Sequence, residues 1–298
     1  MKPITWAGVA VATLSASACG GSDNADINTA PTFVRGAIAS AYYDGNSDDL
    51  LTAGLGLTGL KAAVAPAYAN AAAPTVAELR RNAIYTNYRA VVDYTDAGGF
   101  GRLFGPNIDN AGNATLGEGK VAGREYIAVL DDGSGRQNVT LMVQVPDSFD
   151  KNRPCIITGT SSGSRGVYGA IGTSGEWGLK RGCAVAYADK GTGNGLHDLV
   201  SNEALQIDGT LTSHANAGLN AQFAADVSDA ERNAFNTAYP NRVAYKHAHS
   251  QQNPEKDWGL HTLQSVRLAF YVLNELHGEP VGTQRLRTIT PANTTVIA

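Results

Sequence analysis

Thr294-Thr295-Val296-Ile297-Ala298 closes the chain with the pattern of a short buried strand, and the order of elements before it decides how that strand is read. Immediately upstream lies the strongest helical signal, Asp257 to His277. There Trp258, Leu263, Val266, Phe270 and Leu273 recur at three- and four-residue intervals, and Gly278 stands where a C-terminal cap belongs. Residues 190–256 are polar, rich in Asn and Ala and poor in β-branched residues, so the expectation is an insertion of helices and loops over the edge of a sheet. Before them come two compact apolar runs, Cys155-Ile156-Ile157-Thr158 and Cys183-Ala184-Val185-Ala186-Tyr187, with a helical stretch around Trp177 to Arg181 between them. Strands that alternate with helices indicate parallel pairing. Further upstream, Val139, Leu141, Val143 and Val145 alternate with Thr140, Met142 and Gln144, and Pro146 ends the run. Across the turn Asp131-Asp132-Gly133-Ser134-Gly135, this segment predicts an antiparallel partner for the short strand Tyr126 to Leu130.

The order is hairpin, strand, Gly/Ser-rich loop, helix, strand, insertion, long helix, strand. It matches the first five strands of an α/β-hydrolase: an α/β class with a mostly parallel sheet, here expected to be incomplete. In that fold the nucleophile stands on the sharp turn directly after the fifth strand. The nucleophile is therefore expected beyond Ala298. A buried parallel strand with an unpaired far edge is a poor place to end a domain, so the chain reads as a fragment. On the N-terminal side, Thr75 and Glu78 form a capping box, followed by Val76, Leu79, Ala83, Tyr88 and Val91 at helical spacing, with the helix ending before Gly98-Gly99. Tyr85, Tyr88 and Tyr94 on this helix and just past its end line a groove or simply pack. The domain plan is thus a signal peptide over 1–18, an irregular segment of loops and short helices over 19–73, and the incomplete hydrolase domain over 74–298.

Composition sets bounds on function. Of 298 residues 43% are hydrophobic and 17% charged, enough for a buried core. The formal net charge of −4 offers no broad cationic surface and argues against nucleic acid as the main partner. Lys2, the apolar stretch Ile4 to Leu14 and the small residues Ala16-Ser17-Ala18 read as an export signal, placing the protein outside the cytoplasm as a secreted or periplasmic species. Cys19 directly after that site is a possible lipid anchor. No other run approaches the roughly 20 apolar residues of a membrane span. Cys155 and Cys183 each open a strand. If those strands are parallel neighbours both sulfurs lie at one end, and a disulfide or two buried thiols both remain open.

Gly159-Thr160-Ser161-Ser162-Gly163 is a literal Gly-x-Ser-x-Gly after a strand. Its position after the third strand is where a hydrolase places the loop that gives a backbone N–H to the oxyanion hole, which needs small residues for close approach. The oxyanion loop is the first reading of Gly159, Thr160, Ser161, Ser162 and Gly163. Ser161 as nucleophile is the fallback, and a structural turn is the third. Arg165 either holds a substrate carboxylate through paired hydrogen bonds or pins the loop by a salt bridge. The histidines are His197, His214, His247, His249, His261 and His277, and none is the general base if the base follows the nucleophile in sequence. His247 and His249 lack a spaced Cys or carboxylate, so no metal is expected. The Asp131-Asp132 pair reads as solvated. Gly191-Thr192-Gly193-Asn194-Gly195 lacks the Gly-Lys-Ser/Thr ending of a phosphate loop.

Several long strings resemble the D-3-hydroxybutyrate oligomer hydrolase family: Asp48-Asp49-Leu50-Leu51-Thr52-Ala53-Gly54-Leu55-Gly56, Arg136-Gln137-Asn138-Val139-Thr140, Gly159 to Gly169, Asp189-Lys190-Gly191-Thr192-Gly193-Asn194-Gly195 and His247 to Gly259. The resemblance runs from about residue 30 to the end. It implies an exported serine esterase that cuts 3-hydroxybutyrate dimers and short oligomers to monomer, with no metal or organic cofactor and with an acyl-enzyme released by water. In the family the strand matching Thr294 to Ala298 runs into a Ser-rich turn that carries the active serine, so no numbered position here takes that role. The rival expectations are an exported esterase for another ester, aromatic or plant-derived, and a non-catalytic secreted protein that binds polyester.

Overall fold

A computed structural model describes residues 26–134, 138–163, 165–192, 194–246 and 254–298. The signal segment 1–18 and Cys19 lie outside the described residues. The elements follow in chain order: β1 (Val34–Tyr43), α1 (Gly56–Lys61), α2 (Val76–Val91), β2 (Gly123–Leu130), β3 (Val139–Pro146), β4 (Cys155–Thr160), α3 (Glu176–Lys180) and β5 (Ala184–Ala188). Then come β6 (Leu196–Asp198), β7 (Glu203–Leu205), β8 (Leu211–Ser213), α4 (Asp229–Ala238), β9 (Val243–Tyr245) and α5 (Trp258–His277). The two-residue strands β10 (Pro280–Val281) and β11 (Gln284–Arg285) form a small hairpin before β12 (Thr295–Ile297).

The main sheet has the order β1-β2-β3-β5-β4-β12. β2 and β3 are the hairpin, in register from Gly123 opposite Pro146 to Leu130 opposite Val139. β5 joins β3 antiparallel, β4 joins β5 parallel, and β12 joins β4 parallel with Thr295 opposite Cys155. The sheet is mixed rather than mostly parallel: β1–β2, β2–β3 and β3–β5 are antiparallel, and only β5–β4 and β4–β12 are parallel.

Three expectations need correction. β12, read as a buried strand, is exposed at all three of its residues, because it lies at the sheet edge with β4 as its one partner among the described residues. The sheet has six strands, not five, because β1 runs through the stretch expected to be irregular. Its sequence hides it. Val34 and Ile38 are its only β-branched residues, Gly36 turns to φ 68°, the register with β2 shifts between Arg35 and Ala39, and most of the strand is exposed on the sheet edge. An edge strand with one pairing partner has no need for a continuous apolar run. Likewise, residues 190–256 are not only helices and loops. Strands β8-β7-β6-β9 form a second, four-stranded antiparallel sheet, with α4 alongside in sequence. At three residues each, these strands are too short to leave a period in the sequence.

The connection from β4 to β5 passes to one side of β4 and that from β5 to β12 to the other, so right-handed crossovers place them on opposite faces. Two cores result. Leu141, Val143 and Val145 face α5 together with Ala184, Ala186 and Ala188. Met142, Ile157, Val185 and Tyr187 face α2 and the 167–180 segment, against Tyr88, Ile171 and Leu179. The alternation in β3 therefore separates two cores rather than core from solvent, and all eight of its residues are buried.

Both long helices bury a face rotated from the one their large apolar residues suggest. In α5 the buried residues are His261, Ser265, Val266, Leu268, Ala269, Val272, Leu273 and Asn274, whereas Leu263 is 47% exposed. Small Ser265 and Ala269 let the helix lie close to the short side chains of β5. Gly278 is its C-cap, with its N–H bonded to Asn274 O at 2.8 Å. α2 begins with the capping box of Thr75 and Glu78 and ends at Val91, short of Gly98. It buries Arg80, Ile84, Tyr85, Asn87 and Tyr88, while Val76 is 46% exposed. Tyr85 and Tyr88 pack, the first donating to Ala62 O at 2.6 Å and the second to the Glu176 carboxylate; Tyr94 lies under the Arg89 guanidinium at 3.5 Å.

Cys155 and Cys183 are disulfide-bonded at the amino ends of β4 and β5. Arg80 is buried beneath β1. Its Nε donates to Glu125 Oε1 and its Nη2 to Glu125 Oε2, both at 3.1 Å, and Nη1 donates to Asp48 Oδ1 at 2.9 Å. Lys246, at the end of β9, ties the smaller sheet to the larger by donating to Asn138 O at 2.6 Å. Burial pushes this ammonium down to about 8, against the pull of Asp189 and Asp131.

Two tests follow from these buried charges. Arg80→Met leaves the Glu125 carboxylate buried without its cation and should lower the stability by about 3–5 kcal/mol. Arg80→Met/Glu125→Gln should lose less than the single variant in urea denaturation. For Lys246, the unfolded chain holds the proton more tightly than the folded one, so the penalty is full below pH 8 and is relieved as pH rises from about 8 towards the ordinary 10.5. The wild-type urea midpoint should gain on that of Lys246→Met between pH 8 and about 9.5.

Candidate active site

The carboxyl ends of β4, β5 and β12 point the same way, which is where open α/β sheets gather ligands. β4 ends in Gly159 and Thr160. Thr160 Oγ1 lies 3.1 Å from Thr262 Oγ1 on α5, and Ser161 N donates to Ala188 O at 2.8 Å, holding the start of the loop to β5. The Ser161 side chain is fully buried. Its hydroxyl donates to Gly163 O at 3.1 Å and accepts from Gly163 N at 3.4 Å. Among the described residues no imidazole hydrogen-bonds to it. Buried and bonded to Gly163 in both directions, Ser161 braces the loop from within. Ser162, next in sequence, is exposed, and its N–H has no acceptor among the described residues. That leaves a backbone donor without a protein partner on an exposed residue at the carboxyl end of the sheet.

Two glycines fix the loop's position. A Cβ on Gly159 would lie 2.5 Å from the buried Tyr187 ring, and one on Gly169 would lie 3.0 Å from both Ser161 Oγ and Arg165 Cβ. Arg165 lines a cavity of about 520 Å³ together with Gly166, Val167 and Tyr168 of the same loop, Val76, Leu79 and Ala83 of α2, Leu205 of β7 and Ile207 of the turn that follows it. Asn87 Nδ2 donates to Arg165 O at 3.3 Å, which attaches the loop to α2. The guanidinium has no ion-pair or hydrogen-bond partner among the described residues, so the salt bridge considered for it is not formed there.

At the end of β5, Asp189 is buried and accepts from Thr140 N at 2.8 Å, from Gly191 N, and from Asn194 Nδ2 at 3.1 Å. Burial pushes its carboxyl above the ordinary range, and those hydrogen bonds together with Lys246 pull it back. Lys190 lies 3.3 Å from Glu255, which also accepts from Thr192, so the 189–195 turn is fastened to the residues before α5. Sequence reasoning passed over Asp189 and Glu255; the only signal was the string Asp189 to Gly195, which carries a turn centred on a carboxylate rather than a phosphate site.

The described histidines lie apart from the loop hydroxyl. His197 stacks on His214 with centroids 4.6 Å apart, and its Nε2 lies 3.0 Å from Asn202 Oδ1. Burial lowers its pKa. His277 stacks on Phe149. His261 is buried on α5 beside Thr262, its Nδ1 without a partner among the described residues. His247 and His249 lie outside the described residues. Among the described residues no three His, Cys, Asp or Glu side chains are grouped to hold a metal ion, and no helix is long and apolar enough to cross a membrane.

No solved structure matches the chain. A protein named D-(-)-3-hydroxybutyrate oligomer hydrolase from Burkholderia mallei (strain NCTC 10229) is 60% identical over 282 residues, covering 94% of this chain and 40% of that protein. Proteins of the same name from Burkholderia thailandensis (strain ATCC 700388 / DSM 13276 / CCUG 48851 / CIP 106301 / E264) and Burkholderia pseudomallei (strain K96243) match to the same extent. The chain thus spans about 40% of the length of these relatives. The profile of the 3HB-oligomer hydrolase (3HBOH) family matches residues 15–298, and the chain belongs to that family.

Proposed function

We propose that this chain carries the oxyanion loop of an exported serine esterase of the α/β-hydrolase type, which hydrolyses 3-hydroxybutyrate dimers and short oligomers to monomer. The observation that carries the reading is the register of β12 on β4. Ile297 lies opposite Ile157, so in a chain continued past Ala298 the residues one to three positions further on come level with Gly159 to Ser161. A serine on a turn there stands beside the exposed Ser162 N–H. The disposition of the two crossovers on opposite faces of the sheet, and the Gly/Ser-rich loop after β4, support the hydrolase-type fold. The Cys155–Cys183 disulfide supports an oxidising compartment, in keeping with the export segment at 1–18.

The chemistry runs as follows. The serine oxygen attacks the ester carbonyl as a histidine takes its proton, and the carbonyl oxygen becomes an oxyanion. The Ser162 N–H is one of the donors that hold this charge. A short neutral donor fixed in place costs no reorganisation when charge develops. Collapse expels the alcohol end of one hydroxybutyrate unit with the proton from the histidine, and water then releases the acyl-enzyme by the same steps. Nothing in this sequence requires a metal.

The 298-residue chain should show no turnover of 3-hydroxybutyrate dimer and no labelling by a fluorophosphonate serine probe. A chain extended through the region that the curated relatives possess should show both. Turnover by the 298-residue chain alone would place the nucleophile among its own residues and overturn the assignment. In the extended protein Ser162→Pro, which removes the N–H, should lower kcat by about 10²–10³ with little change in KM. Unchanged kcat in a variant with wild-type thermal stability would remove Ser162 from the oxyanion site.

A further inference from the structure

The cavity between α2, β1 and the smaller sheet has walls that are apolar except for a few side chains, and those are almost all committed to one another. Glu125 receives the Arg80 guanidinium, Tyr168 Oη at 2.8 Å and Tyr43 Oη at 3.5 Å. Asn194 donates to Gln222 Oε1 at 3.0 Å, and Gln222 Nε2 donates to Gln206 O at 3.0 Å. Asp208 accepts from Thr210 N at 3.0 Å and from the Thr210 hydroxyl at 2.7 Å, and it offers a carboxylate no donor. Arg165 is the cation of this lining with no partner among the described residues, and the apolar stripe of α2 (Val76, Leu79, Ala83) lines the same space. A volume of about 520 Å³ lies within the ~300–1,000 Å³ typical of small-molecule sites.

An unpaired guanidinium in an apolar pocket selects a ligand with one anionic end and a hydrocarbon-like body, because paired N–H donors match a carboxylate fork. A linear oligoester of a hydroxy acid has that form: one terminal carboxylate and a methyl-bearing chain of neutral esters. We propose that Arg165 and this cavity form the subsite that holds the free carboxylate end of the oligoester, with its chain laid against Val76, Leu79 and Ala83. This assignment rests on the hydrolase reading above and adds to it a requirement for the free acid. The loop that carries Arg165 also carries Ser162, and Asn87 holds it to α2. Anchoring the acid end therefore sets where the chain of esters passes the exposed N–H.

The test is binding to the 298-residue chain, measured by calorimetry with the linear 3-hydroxybutyrate trimer acid and with its methyl ester, which lacks the charge. The acid should bind about tenfold or more tightly than the ester at low salt. Arg165→Gln should abolish that difference, Arg165→Lys should keep part of it, and Ala83→Trp should block both ligands by filling the cavity. Equal binding of acid and ester by the wild type would overturn the proposal, as would binding of neither or discrimination that survives Arg165→Gln. Ester turnover by the extended protein is read separately. Turnover of the trimer without acid-over-ester selectivity sinks the subsite and leaves the esterase reading standing. Selective binding without turnover does the reverse.

Discussion

The Arg80 guanidinium is the charge around which one face of the sheet is built. It sits beneath β1, stacked 3.9 Å from the Tyr43 ring, and four of its five N–H donors reach Glu125 on β2, Asp48 and Asp49 O on the turn after β1. Glu125 in turn receives Gln144 Nε2 from β3 at 2.8 Å, and Gln144 Oε1 accepts the Tyr187 hydroxyl from β5 at 2.7 Å. Taking such a pair out of water costs several kcal/mol per ion and is offset only where geometry and further hydrogen bonds are good. Here both carboxylate oxygens and all three guanidinium nitrogens have partners. The cost of leaving any of them alone means that α2, β1, β2 and the 44–49 turn must close together or not at all, which suits a sheet whose edge strand has little apolar content of its own.

Much of the architecture was legible because it rests on local periods. The hairpin of β2 and β3, the compact strands β4 and β5, the capping box of α2 and the extent of α5 all leave a signal within a dozen residues. What was not legible depends on partners distant in sequence. β1 is a strand because β2 offers an edge, not because Arg35, Gly36 and Ala37 favour extension. The short strands of residues 196–245 pair with one another in a meander too brief to show alternation. On α2 and α5 the large apolar residues suggested a face, but the sheet selected small residues and polar ones with specific partners: Ser265 and Ala269 on one helix, Arg80 and Asn87 on the other. A helix face is read as apolar by default, and a buried Arg80 defeats that reading until Glu125 is known to lie opposite.

Of the loop after β4, the sequence showed the need for small residues but not which atoms require them. The Gly-x-Ser-x-Gly pattern is explained here by packing. Gly159 is bare because Tyr187 lies against it, and Tyr187 is held there by Gln144, which also binds Glu125. The same chain of contacts that neutralises Arg80 thus sets the height of the loop above β5. From the other side Gly169 admits Ser161 Oγ and Arg165 Cβ into the space that a methyl group would occupy. Ser161 is consumed as a brace between these two limits, and the Ser162 N–H and the Arg165 guanidinium are left without partners among the described residues.

That division of labour keeps the serine of a nucleophile-like motif inside the fold. The Ser161 hydroxyl has no solvent exposure and is hydrogen-bonded in both directions to Gly163. An N–H on the next residue and a guanidinium three residues beyond it have both access and unmet hydrogen-bonding capacity. The loop is pinned where Gly159 meets Tyr187 and where Gly169 meets Ser161 and Arg165, and the Ser162 N–H and the Arg165 guanidinium, which lack protein partners among the described residues, are the groups that the proposed hydrolase reading gives to the ligand.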